Sequence, residues 1–185
     1  MFANLAVHME IALCETYNLG KEDETMDNEG IWCRTVLTAY RVLEHMAKVL
    51  DRTLEKMALS GFNKYNLSGF NTDSLYSKML EVIDRKKGLI NIKVLVDTVL
   101  ASMPNKEYSV LYIRFVEGIG AERTAELLDM PKRTYFRCFN KALSTFAFQL
   151  KLLGYGAERF KTEYKNEPFI VAIYEKLLKK FVQSS

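Results

Sequence analysis

The period of the apolar residues limits this chain more than any other feature. Along almost its whole length they recur at the three-and-four spacing of a helix face, and the strict alternation of a half-buried strand is nearly absent. Only three prolines interrupt the pattern, Pro104, Pro131 and Pro168, and each sits where one helix gives way to another. The expectation is an all-α protein: an N-terminal helical bundle or long helix, followed by a C-terminal helix-turn-helix domain.

The N-terminal region spans 1–60. Phe2 to Tyr17 forms a short helix candidate, and an acidic loop follows at about 18–30, through "GKEDETMDNEG". From Ile31 to Leu59 runs the longest periodic segment, with Val36, Leu43, Leu50 and Met57 recurring every seven residues. That stripe suits a bundle helix facing its own core, and it also offers a coiled-coil seam through which two copies of the 31–59 helix would pair as a homodimer. The tetrapeptide Ser-Gly-Phe-Asn occurs at Ser60 to Asn63 and again at Ser68 to Asn71, and its Gly, Ser and Asn content marks 61–72 as a linker or loop. Connecting helices fill 73–103: one from Ser74 to Lys87, broken by Gly88, and another up to Met103.

Charge is unevenly spread. The net charge of the 185 residues is +3, but residues 1–30 hold seven acids against Lys21 alone, which leaves −6 there and +9 on the rest. An anionic partner for the body of the chain is compatible with that asymmetry. Cys14, Cys33 and Cys138 are far apart and have no C-x-x-C spacing, so free thiols in a reducing cytoplasm are expected. The first 20 residues lack the basic start of a signal peptide, and no stretch approaches the roughly 20 apolar residues of a membrane span, so no membrane association is expected.

Beyond Pro104 the pattern sharpens, over 104–156. "NKEYSVLYIRFVEG" reads as a helix ended by Gly118, "AERTAELL" as a second of only two turns, and "PKRTYFRCFNKALSTFAFQLKLL" as a third after the tight turn "DMP". Short helix, tight turn and longer helix make a helix-turn-helix unit. Pro131 suits the first turn of the third helix, where a missing N–H costs little. Tyr135, Cys138, Phe139, Ala142, Leu143, Phe146 and Leu150 form one apolar stripe on it. The other face is left with Lys132, Arg133, Phe136, Arg137, Asn140 and Lys141, and no acid occurs between Asp129 and Glu158. A helix N-terminus crowned by Lys132 and Arg133 suits phosphate, and Arg137 and Asn140 one turn further in can reach base edges. A helix from 157 to 185, with Lys176, Lys179 and Lys180 on its polar side, closes the chain and suits docking on the protein's own core.

The stretch "VLYIRFVEGIGAERTAELLDMPKRTYFRCFNKAL" resembles region four of bacterial sigma factors, in the winged-helix-like superfamily, and is more similar still to the phage ArpU-like transcriptional regulators. The resemblance covers Met103 to about Leu153. It implies a regulator of transcription that binds double-stranded DNA, with Lys132, Arg133, Thr134, Phe136, Arg137, Asn140 and Lys141 toward the duplex and Tyr135 and Cys138 buried. Ala125 falls on the small-residue position of the first helix, Leu128 packs on the second, and Met130 fills the apolar position of the turn. Thr124 stands where these domains commonly carry isoleucine, Asp129 where the turn usually has glycine, and Pro131 where a capping serine or threonine is usual. Upstream, nothing resembles the sigma region that binds polymerase, so a regulator with a sigma-like reading head fits better than a complete sigma factor.

An enzyme is not expected. His8 and His45 are the only histidines and lie apart, "GIG" and "GYG" lack the remaining glycines and the lysine of a phosphate loop, and the acid pairs sit in the acidic loop without the makings of a metal cage. No cofactor and no metal follow from the sequence. The alternative to DNA binding is a sigma-like factor or protein-interaction module that acts only beside RNA polymerase or another partner.

Overall fold

The computed structural model describes residues 28–64 and 72–182, and every element in them is helical. They are α1 (Asn28–Lys64), α2 (Thr72–Ser102), α3 (Asn105–Leu111) with a π-helical turn (Tyr112–Val116), α4 (Ala121–Leu127), α5 (Lys132–Leu152), α6 (Ala157–Tyr164) and α7 (Pro168–Val182). The expected helix at Phe2 to Tyr17, most of the acidic loop and the second Ser-Gly-Phe-Asn copy lie outside the described residues. So does Cys14, while Cys33 and Cys138 are free thiols. None of the described helices is long and apolar enough to cross a membrane.

Two expectations about the long helices need correction. Helix α2 runs through Gly88 without a break, so the pair of helices read from the sequence is one helix of 31 residues. A glycine inside a helix costs about 1 kcal/mol against alanine, and buried Leu89 and Ile92 on the next turn outweigh that by packing. Helix α1 extends to Lys64, through the first Ser-Gly-Phe-Asn copy. Its heptad residues Val36, Leu43 and Leu50 are buried within the single chain, with Met57 half-buried, so the dimer seam expected on the 31–59 helix is spent on the protein's own core.

The contacts divide the chain into two compact units, and both long helices pass through the division. The smaller, Val42–Val94, contains among the described residues only the distal halves of α1 and α2. It buries Leu43, Met46, Ala47 and Leu50 from one helix and Leu89 and Ile92 from the other, and Lys86 Nζ reaches Asp51 Oδ1 at 2.6 Å.

The larger unit, residues 1–41 and 95–185, has an aromatic core. Phe115, Tyr135, Phe139, Phe146, Phe160 and Phe169 are all fully buried. Trp32 of α1 stacks on Tyr174 of α7 with ring centroids 4.3 Å apart. The buried Arg34 guanidinium lies 5.2 Å from the Phe139 ring centre and 5.4 Å from that of Phe181, so α1, α5 and α7 share one core. The single closing helix expected over 157–185 is instead two, α6 and α7, parted at 165–167 just before Pro168, where proline suits a first helical turn; α7 docks on the core.

Candidate nucleic-acid interface

The turn before α5 is a complete helix-end motif. Asp129 N–H donates to the Glu126 carbonyl at 3.0 Å, and Met130 N–H donates to the Ala125 carbonyl at 2.9 Å. Such paired bonds require the residue between the helix and the new direction to turn left-handed, and Asp129 does so with φ of 50°. Aspartate is among the few residues other than glycine that tolerate this region, which explains how it stands where a glycine is usual.

The loop entering α4 is set from inside. Arg114, fully buried, donates to the Ile119 carbonyl at 3.2 Å, and the buried Thr124 hydroxyl bonds the Gly120 carbonyl at 2.9 Å. Thr124 therefore keeps the small apolar volume that the short helix needs and satisfies its hydroxyl on the helix's own first turn. Neither role is readable from spacing along the sequence.

Helix α5 starts at Lys132 after Pro131, which has φ −54° and ψ 140° and supplies no side-chain cap. Its buried side is Tyr135, Phe139, Ala142, Leu143, Phe146 and Leu150, the stripe read from the sequence, except that Cys138 is only half-buried at its margin. The opposite side carries Lys132, Arg133, Arg137 and Lys141, all exposed, with Thr134, Phe136 and Asn140 half-buried. Phe136, half-buried, leans edge-on against Tyr135, with centroids 5.3 Å apart.

The four cations are not equivalent. Lys132 Nζ lies 2.6 Å from Glu122 Oε1 of α4, and Lys141 Nζ lies 2.8 Å from Glu107 Oε1 of α3. Lys132 holds the Glu122 carboxyl below the usual range, chiefly through that hydrogen bond. The Glu107 carboxyl is likewise lowered by hydrogen bonds from Lys141 and then Thr145, while Lys141 is raised by the same contact. Sequence reasoning expected both lysines to be open for phosphate; it missed these carboxylates because the acid-free run from 130 to 157 describes neighbours in sequence, and α3 and α4 bring the acids back in space. Arg133 and Arg137 are left, one helical turn apart, exposed and outside any ion pair among the described residues.

Among the described residues no group of three or more His, Cys, Asp or Glu is placed to hold a metal ion. In comparisons with protein-family models, curated proteins and solved structures, nothing matches the chain.

Proposed function

We propose that the protein is a sequence-specific DNA-binding regulator of transcription, of phage or prophage type, in which α4 and α5 act as a helix-turn-helix and α5 enters the major groove. The observation that carries this reading is the pair Arg133 and Arg137, two exposed guanidiniums in no ion pair among the described residues, one turn apart near the start of a helix whose other side is locked into an aromatic core. A guanidinium is a fork of donors that fits the two acceptors of a guanine edge, and rigid support beneath it fixes where that fork points. The first-turn N–H groups of α5 have no side-chain cap and suit a phosphate, as expected of a helix N-terminus crowned by Lys132 and Arg133.

Selection of duplexes from a randomised pool at near-physiological salt, with wild type and the Arg133→Ala, Arg137→Ala double mutant in parallel, tests the reading. Enrichment of one motif by wild type alone is expected. On that motif each single alanine variant should lose about 1–3 kcal/mol, and less on unrelated DNA. Equal losses on every duplex would rule out base reading.

A second reading has its own observation. Phe148, Leu152 and Leu153 are exposed at the far end of α5, and apolar residues in that position suit a protein partner, such as RNA polymerase beside which the unit would act. Charge reversal at Arg133 and Arg137 separates the two, since it should abolish DNA binding and spare an apolar contact.

A further inference from the structure

Helix α2 is apolar on two sides. Its inner side is buried, as Leu89 and Ile92 show, but Tyr76, Leu80, Ile83, Ile90 and Val94 are between 39% and 68% exposed. With Lys87 these positions follow one another at steps of four, three, four, three and four residues, the a and d spacing of a coiled coil. The stripe is about 27 Å long at 1.5 Å per residue. A helix with a second apolar stripe beside its buried side has a second face to cover. The unit that carries it consists, among the described residues, of two helix segments only, and two helices cover one side of each other.

We infer that this stripe is the seam of a homodimer, in which α2 of one copy lies antiparallel along α2 of a second and the two pairs of helix segments make a four-helix bundle. Two copies of the stripe offer on the order of 1,000 Å² of side-chain surface, the threshold of a specific interface. The direction follows from Lys87. Parallel strands would set Lys87 against its own copy within the seam, like charge on like charge. Antiparallel strands centred near Arg85 set Tyr76 level with the second copy's Val94 and Leu80 level with its Ile90. Lys87 then falls beside the second copy's Ile83 and Asp84, a carboxylate in reach of the ammonium while its stem covers the seam. Asp84 and Lys87 are both exposed and in no ion pair among the described residues. The inference is independent of DNA binding, which concerns the other unit.

Sedimentation equilibrium of the full chain without DNA, over a concentration series, tests it. Wild type should be a dimer. Leu80→Glu with Val94→Glu should raise the dimer Kd about a hundredfold or more at unchanged helicity by circular dichroism, since both sites are on the surface of the single chain. Lys87→Glu should weaken the dimer, and adding Asp84→Lys should restore it, because only the antiparallel seam exchanges these charges between copies. A monomeric wild type overturns the inference and would direct attention to residues 1–27 of the same chain as the cover. A dimer that survives the two glutamates places the seam elsewhere, and a Lys87→Glu defect that Asp84→Lys fails to rescue overturns the antiparallel pairing.

Discussion

Asp129 and Gly154 do the same work at two helix ends. After α5, Gly154 turns left-handed with φ of 79°, its N–H bonds the Lys151 carbonyl at 2.9 Å, and Tyr155 N–H bonds that of Leu150 at 2.9 Å, the arrangement that Asp129 and Met130 make after α4. A residue branched at Cβ cannot sit there cheaply, so Asp129→Val should lower stability to urea by about 1–2 kcal/mol, whereas Asp129→Gly should stay within about 0.5 kcal/mol of wild type. Equal stability of all three proteins would mean that the turn is not left-handed in solution. Glu107 offers a test by pH. Its carboxyl titrates below the ordinary value in the folded chain because Lys141 and Thr145 hydrogen-bond its charged form, so its contribution is complete above the unfolded pKa and is lost as pH falls through the folded one. Glu107→Gln should therefore flatten the acid limb of the stability curve, below about pH 4.5, and leave its slope near neutrality alone. The left-handed need at Asp129 was legible, because the resemblance puts glycine there. Glu107 was not, since its partner sits two helices later and no local spacing joins them.

At the scale of elements, the ends of α4 and α5 agree with the sequence because their signals are local: Gly118 before the loop, the tight turn, Pro131 at the helix start. Gly88 was a false signal of the same kind, overridden by the burial of Leu89 and Ile92 that follow it. The π-helical turn at Tyr112–Val116 left no trace in the spacing, and Glu117 N–H closing on the Tyr112 carbonyl at 3.0 Å shows the extra residue that the turn absorbs. Two helix starts remain improvable. Gly120 before α4 and Gly156 before α6 have extended backbones, offer no side-chain cap, and a Cβ at either would meet nothing within 4 Å. Gly120→Ser and Gly156→Ser should each add about 0.5–1 kcal/mol to stability, part from the cap and part from a less free unfolded chain, and the double variant should show the sum. Thermal and urea unfolding check both. Gly118 is the contrast, for it has φ of 76° and a Cβ there would lie 2.0 Å from Arg41 Nη1, so Gly118→Ser should destabilise.

At the scale of the molecule, charge asymmetry was plain in the sequence, yet its consequence for DNA depends on which cations the fold has already neutralised. A chain with +9 outside its first thirty residues suggests strong, salt-sensitive attraction to a duplex. The fold weakens that expectation where it matters, since Glu122 and Glu107 hold two of the five exposed cations of α5. Each phosphate neutralised contributes roughly −0.9 to the slope of log K against log salt. Removing the carboxylate charge should then release a cation that wild type withholds: Glu122→Gln should bind any duplex more tightly at low salt and steepen the slope by about 0.9 as Lys132 turns to phosphate. Adding Lys132→Ala to Glu122→Gln separates this from a change in net charge. If the slope returns to that of wild type, the ion pair between α4 and α5 sets how many phosphates the helix engages. If it stays steep, the gain came from the field of the whole molecule and Lys132 has no phosphate within reach.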